Sequence, residues 1–381
     1  MAKKAYIGVN GKARNIKKIY LGVDGKARKV KKAYVGVGGV ARPCWAGSGV
    51  AYFGTIDPLT TARYGGSSVA FPTGYALFTG GSTNSHLDVY DTSLTHTTKY
   101  GGRRYWNMGA TTNGTYAIFA GGNYTDTGYD DLSKYASCVN ESLTSSSKEL
   151  LSVARSKMGA GRVGNYAVFA GGHGSSDYEK TVDAVDQSLT RTTAPDLGNR
   201  SYKCQAANAG QSLVIARNYT SGTNNYAEVY NSSLTKGSVL DLNLPRPAGG
   251  ILPNDELVGV NFGDKAVFTR LGSVVVVDSS LTITNLSVTL TAGYEPAATS
   301  SDQFLVFAGG RNPENDYEAA NTVDVFDTSL TRTQGEPLTV GRQWMCAEKV
   351  GSYFLFAGGT TSSDAAYNNI KDTVEAYLVT E

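Results

Sequence analysis

Reactive side chains are scarce in this chain. Only four cysteines and three histidines occur among its 381 residues. Cys44, Cys138, Cys204 and Cys346 stand far apart with no C-x-x-C pair, so neither a zinc knuckle nor a disulfide framework organises the fold. His86, His96 and His173 are isolated and lack the H-x-x-x-H spacing of a metal pair; each reads as a loop residue, and neither a metal nor a cofactor is expected. No G-x-S-x-G elbow, phosphate-cradling loop or Cys/His pair appears, and acid pairs such as Asp130 and Asp131 fall in loops. The expectation is a protein without enzymatic activity.

Long apolar runs are missing too. No stretch approaches the ~20 apolar residues of a membrane helix, so no membrane insertion is expected. The basic start of the chain lacks the apolar segment of a signal peptide, which points to synthesis without export. Charge is sparse at 18%, and acids are nearly absent from one region: residues 1–45 hold twelve Lys and Arg against Asp24 alone. A basic arm on an acidic body suggests separate partners for the two parts.

What is abundant is glycine, 45 residues, and tyrosine, 24 residues, the signature of a turn-rich β protein with aromatic packing. Residues 3–44 are three 14-residue copies, "KKAYIGVNGKARNI", "KKIYLGVDGKARKV" and "KKAYVGVGGVARPC". Asn-Gly, Asp-Gly or Gly-Gly sits between short alternating segments in each, which predicts three β-hairpins. One hairpin buries too little to stand alone, so Tyr6, Tyr20, Tyr34, Lys17, Lys18, Lys31 and Lys32 are candidate anchoring residues, toward neighbouring hairpins, other copies of this chain or a host assembly. The Lys-Lys pairs admit three readings: a solvated edge, a dock for an acidic partner, or a nucleic-acid patch, the weakest of the three. Residues 46–49 read as a linker.

From residue 50 to 381 a longer unit recurs every 41 to 51 residues. The best copy is "YAVFAGGHGSSDYEKTVDAVDQSLT", Tyr166 to Thr190. An apolar run closed by two glycines is too short for a helix and reads as a buried strand. It is clear at "YALFTGG", "YAIFAGG", "YAVFAGG", "FLVFAGG" and "YFLFAGG", and degenerate at "SLVIARN" and "LVGVNFG". A further strand runs into a turn of Asx-x-Ser-Leu-Thr, with Asp91, Asn140, Asp186, Asn231, Asp278 and Asp327 first; a short Asx side chain can close such a turn on its own backbone. An arginine precedes each unit at Arg63, Arg104, Arg155, Arg200, Arg246 and Arg342, with Tyr294 in the remaining copy.

Four strands per unit and seven units predict an all-β fold, a seven-bladed β-propeller behind a small array of β-hairpins. The C-terminal "TVEAYLVT" is a third strand with nothing after it, so strand 50–56 is expected to complete its blade and close the ring.

These residues resemble the kelch repeat: a four-residue hydrophobic run, a double glycine, then a Tyr in the next strand, as at Tyr90, Tyr230 and Tyr377. Thr97 stands where that family carries a Trp seven residues after the Tyr. The N-terminal Lys-Lys-x-Tyr-x-Gly-Val copies are similar to short repeats in phage and prophage virion proteins of Gram-positive bacteria. The resemblance implies a virion structural protein, such as a tail fibre or decoration protein, anchored through residues 1–45.

Long, unequal loops after the double glycines share one end of the propeller, where binding commonly resides. Tyr124, Tyr129, Tyr178, Tyr219, Tyr317 and Tyr367 sit there among Asn, Asp, Ser and Gly and are candidate ligand-binding residues, for a host surface glycan or protein. The arginines arrive from that end, either to ring the channel mouth and attract an anion or to brace blades against Asp88, Asp183, Glu228, Asp324 and Glu375. The alternatives for the whole chain are a glycan-binding or carbohydrate-active propeller and an intracellular kelch-like scaffold.

Overall fold

A computed structural model describes residues 48–71, 73–82, 84–124, 131–218, 226–245, 257–312, 318–361 and 369–380, with the backbone of six strands between 6 and 46. Those six form three separate two-stranded antiparallel sheets: Tyr6–Val9 with Lys12–Asn15, Ile19–Val23 with Lys26–Val30, and Lys32–Val37 with Val40–Ala46.

The longer units fold into seven four-stranded antiparallel sheets. Their innermost strands are Ser67–Phe71, Gly109–Thr112, Gly159–Val163, Lys203–Ala209, Val258–Phe262, Ala297–Ser300 and Cys346–Val350, which number blades 1 to 7. Each innermost strand lies against the next and the seventh against the first, so the ring is closed around a central channel. Blade 7 takes its outer strand from the other end of the chain: Gly49–Ile56 pairs antiparallel with Val374–Thr380, from Gly49↔Thr380 to Ile56↔Val374.

Both faces of a middle strand meet a neighbouring blade, which is why "YAVFA" is a continuous apolar run and not an alternating one. Seven apolar clusters result, one between each pair of adjacent blades. Phe78, Phe119, Phe169, Phe268, Phe307 and Phe356 fill one register position in six blades, all fully buried, with Ile215 in blade 4. Each such side chain stabilises the fold by roughly 1.5–3 kcal/mol.

The Asx turns work as their sequence suggests. Asp186 Oδ1 accepts from the Ser188 and Thr190 amides at 2.9 and 2.8 Å, and the same bonds recur at Asp91, Asp278 and Asp327. The turn leucine adopts a left-handed backbone, φ near 60° at Leu94, Leu143, Leu189, Leu234, Leu281 and Leu330. Its side chain packs into the cluster shared with the preceding blade, as Leu189 does with Ile118, which offsets the backbone cost. Tyrosines of the third strands also join blades: the hydroxyls of Tyr90, Tyr230 and Tyr377 donate to the carbonyls of Asp57, Pro195 and Glu336, 2.8 to 3.0 Å away.

Two expectations are corrected here. "LVGVNFG" is not the second strand of blade 5; it contains the innermost strand Val258–Phe262, and Lys265–Arg270 is the second. Blade 5 has no double glycine to align on, because its second and third strands join through a tight Leu271-Gly272 turn. His86 and His96 are strand residues and not loop residues.

Candidate functional site

The connector leading into each innermost strand passes close under the loop that follows the second strand. A Cβ at Gly172, whose φ is +101°, would lie 2.3 Å from the Ser156 carbonyl oxygen, so the second glycine of the pair is required by that approach. Isolated bridges Trp106↔Asn123, Ser156↔His173, Tyr294↔Arg311 and Gln343↔Thr360 tie connector to loop and fix the true register of the repeat. In that register Tyr105, not Arg104, matches Arg155, and Gly293, not Tyr294, does so in blade 6. The sequence alignment slips by one because it follows residue type where the backbone follows the bridge.

Three of the arginines are buried braces. Arg63, Arg155 and Arg342 are at most 1% exposed and pair with Asp88, with Asp183 at 2.9 Å and with Glu375 at 2.5 Å. The same acids cap connector amides, such as Ser152 to Asp183 at 3.0 Å and Thr339 to Glu375 at 2.8 Å. Burial lowers the proton affinity of Arg155 and Arg342, and Asp183 and Glu375 hold them charged. These three guanidiniums therefore do not face the channel mouth.

What does face the mouth is the residue two positions further on. Gly65, Asn107, Lys157, Glu295 and Trp344 share a left-handed backbone, φ from 53 to 58°. Four of the five are not glycine, a conformation that costs roughly 1–3 kcal/mol each and clusters at functional sites. It turns the peptide groups sideways. Gly65 donates to the Trp344 carbonyl, Asn107 to Gly65, Lys157 to Asn107 and Cys204 to Lys157, at 2.9 to 3.2 Å. A backbone belt thus runs through blades 7, 1, 2, 3 and 4.

Above the belt opens a cavity of about 430 Å³, lined by Tyr64, Trp106, Lys157, Lys203, Glu295 and Trp344 among others. Tyr64 lies between the indoles, 6.4 Å from Trp106 and 6.2 Å from Trp344, tilted by 55° and 44°. Trp344 Nε1 donates to Glu295 Oε2 at 2.8 Å, and Arg311 Nη2 reaches the same oxygen at 3.1 Å while its guanidinium covers the Trp344 ring at 4.4 Å. Burial pushes the Glu295 carboxyl up, against the pull of Lys203, Arg311, the Trp344 hydrogen bond and Lys157. On the opposite side Lys157 Nζ donates to the Tyr202 hydroxyl at 2.9 Å, and Lys203 Nζ stands 5.4 Å from that ring. Tyr202, Tyr178 and His173 form a trio with centroids 5.2 to 5.6 Å apart. Burial, with help from Lys157, lowers the His173 pKa.

Of the residues singled out in the sequence, Tyr178 joins this cluster through Tyr202. Tyr124 sits farther out, its ring under the Arg104 guanidinium at 4.0 Å. Arg200 is exposed and pairs with Asp177 at 2.6 Å. Tyr129, Tyr219, Tyr317, Tyr367 and Arg246 lie outside the described residues, as do Lys17, Lys18 and Lys31. Tyr6, Tyr20, Tyr34 and Lys32 fall in the hairpin strands. Tyr64, Trp106, Lys157, Lys203, Glu295 and Trp344 were missed. The one sequence signal for them was that two of the three tryptophans stand in the same short segment before an innermost strand.

No family model matches the chain, and no curated protein matches it. Many solved structures share its fold, two lyases among them. One is the virginiamycin B lyase of Staphylococcus aureus, with TM-score 0.59 and 13% identity, covering 87% of this chain and 100% of that one. The other is a streptogramin B lyase, with TM-score 0.58 and 11% identity, covering 87% and 98%. At such identity the likeness is one of fold.

Proposed function

We propose that the chain is a non-enzymatic structural protein of a bacteriophage or phage-derived particle, in which residues 1–45 dock to other virion proteins and the propeller binds a host surface or partner protein at its loop end. The observation that carries the binding role is the loop-side mouth, where strained, non-repeating residues bring two tryptophans, a tyrosine and two lysines around one cavity. Scaffold positions repeat from blade to blade; these do not. The docking role is supported by three small, separate hairpin sheets, each too small to be stable alone, and by their resemblance to phage virion repeats. Gly49, where the propeller begins, pairs with Thr380 at the short-turn end, opposite the mouth.

Two measurements test this reading. Labelled full-length chain should bind saturably to cells of a Gram-positive host, and antibody against it should decorate whole particles in electron micrographs. A chain that adheres to no cell surface and labels no particle, or that turns over whatever it binds, would replace this reading with the carbohydrate-active or intracellular alternative.

A further inference from the structure

We infer that the loop-side mouth binds an anionic sugar, a pyranose bearing a carboxylate or a phosphate. This rests on the binding role proposed above and adds the chemistry of what is bound. Tyr64, Trp106 and Trp344 supply apolar ring faces, and tilts of 55° and 44° set each indole at an angle to the Tyr64 ring between them. Stepped faces of this sort suit a puckered ring, whose C–H surface packs on indole while its hydroxyls stay at the rim.

The charged groups around these rings set the sign of the site. Among the described residues lining the mouth, Glu295 is the single carboxylate, and three cations, Lys203, Arg311 and Lys157, act on it. The balance is positive, in a concave site where low-dielectric walls concentrate the field. Lysine ammonium groups engage either a carboxylate or a phosphate as point charges. Glu295 has a second task. By accepting from Trp344 Nε1 and pairing with the Arg311 that covers the Trp344 ring, it fixes the indole at the wall of the cavity.

The test is calorimetry and indole fluorescence on the full-length chain with methyl β-glucuronide, glucose 6-phosphate, methyl β-glucoside and inorganic phosphate, up to millimolar concentration. One or both charged sugars should bind at least about tenfold more tightly than the glucoside and inorganic phosphate, and added salt should weaken that binding. The two charged probes separate a carboxylate source from a phosphate source. Lys203→Met and Lys157→Met should each remove the preference for charge, and Trp344→Ala should weaken both charged sugars about tenfold or more. Wild-type chain that binds neither charged sugar, glucoside binding equal to theirs, or lysine variants that bind as wild type would each overturn the assignment. Cell binding separates the two levels of inference. If the mouth variants adhere to host cells as well as wild type, the sugar site is wrong and the binding role stands; if wild type does not adhere, the binding role falls.

Discussion

Arg217 occupies the position at which five blades carry the first glycine of their pair, and its Nε lies 3.0 Å from the Glu228 carboxylate. Blade 4 thus delivers its buried guanidinium from the second strand, while the connector arginine, Arg200, is released to the surface to meet Asp177. Lys236 Nζ, 3.0 Å from Oε2, completes the clamp on Glu228.

Arg217→Ala should therefore cost about 3–5 kcal/mol, because it leaves Glu228 with less compensation in a buried site. Arg200→Ala should change stability by less than about 0.5 kcal/mol. Denaturant unfolding of the two variants checks this, and the reverse order would show that the brace has been assigned to the wrong residue.

The Arg155–Asp183 pair makes a second case. Arg155→Met alone should destabilise by about 3–5 kcal/mol, since Asp183 is fully buried and is left with the partly exposed Arg191 at 3.3 Å and the Ser152 cap. Adding Asp183→Leu should recover part of that loss, because two apolar side chains replace a charge left uncompensated. A double variant less stable than the single one would mean that the caps on Ser152 outweigh the charge term.

The ring was legible in the sequence because its cues are local. An Asx side chain closing a turn on its own backbone, a leucine at a fixed offset and glycines under a crossing chain each leave a residue-type signature. The mouth leaves little beyond its two tryptophans. Gly65, Asn107, Lys157, Glu295 and Trp344 have no chemistry in common, only the sign of a backbone angle and the hydrogen bonds between neighbouring blades that it permits. Arginine was a misleading marker, since one was replaced by Tyr105 and another supplied from Arg217. Residue type followed the pairing with acids and not the register of the belt.

Lys157→Gly should separate stability from recognition. Removing a Cβ at φ +55° relieves backbone strain of about 1 kcal/mol, offset by loss of the hydrogen bond to Tyr202. The melting temperature should stay within a few degrees of wild type while binding of charged sugars is lost. A collapse of the melting temperature would show that the side chain holds the belt together.

Glu348 predicts a pH effect in the channel itself. It lines the cavity of about 660 Å³ at the short-turn end, as do Arg162 from blade 3 and Lys349 beside it. Burial pushes its carboxyl up to about 7. The folded state then holds the proton more tightly than the unfolded chain, so stability is present at low pH and is lost as pH rises from the ordinary carboxylate range through 7. Glu348→Gln should match wild type near pH 4 and exceed it by about 1–3 kcal/mol at pH 8, the upper value discounted for a side chain open to the channel. Equal stability at both values would place the carboxylate in water.

The split blade gives the chain a timing problem during synthesis. Strand Gly49–Ile56, with Tyr52 and Phe53 and no charged residue, leaves the ribosome roughly 300 residues before its partner Val374–Thr380. At about 5–20 residues per second the edge waits on the order of 15–60 s for its match. Through that interval, nascent chains on one messenger each present the same unpaired strand, so fast translation and dilute expression should favour closed rings over tangled ones.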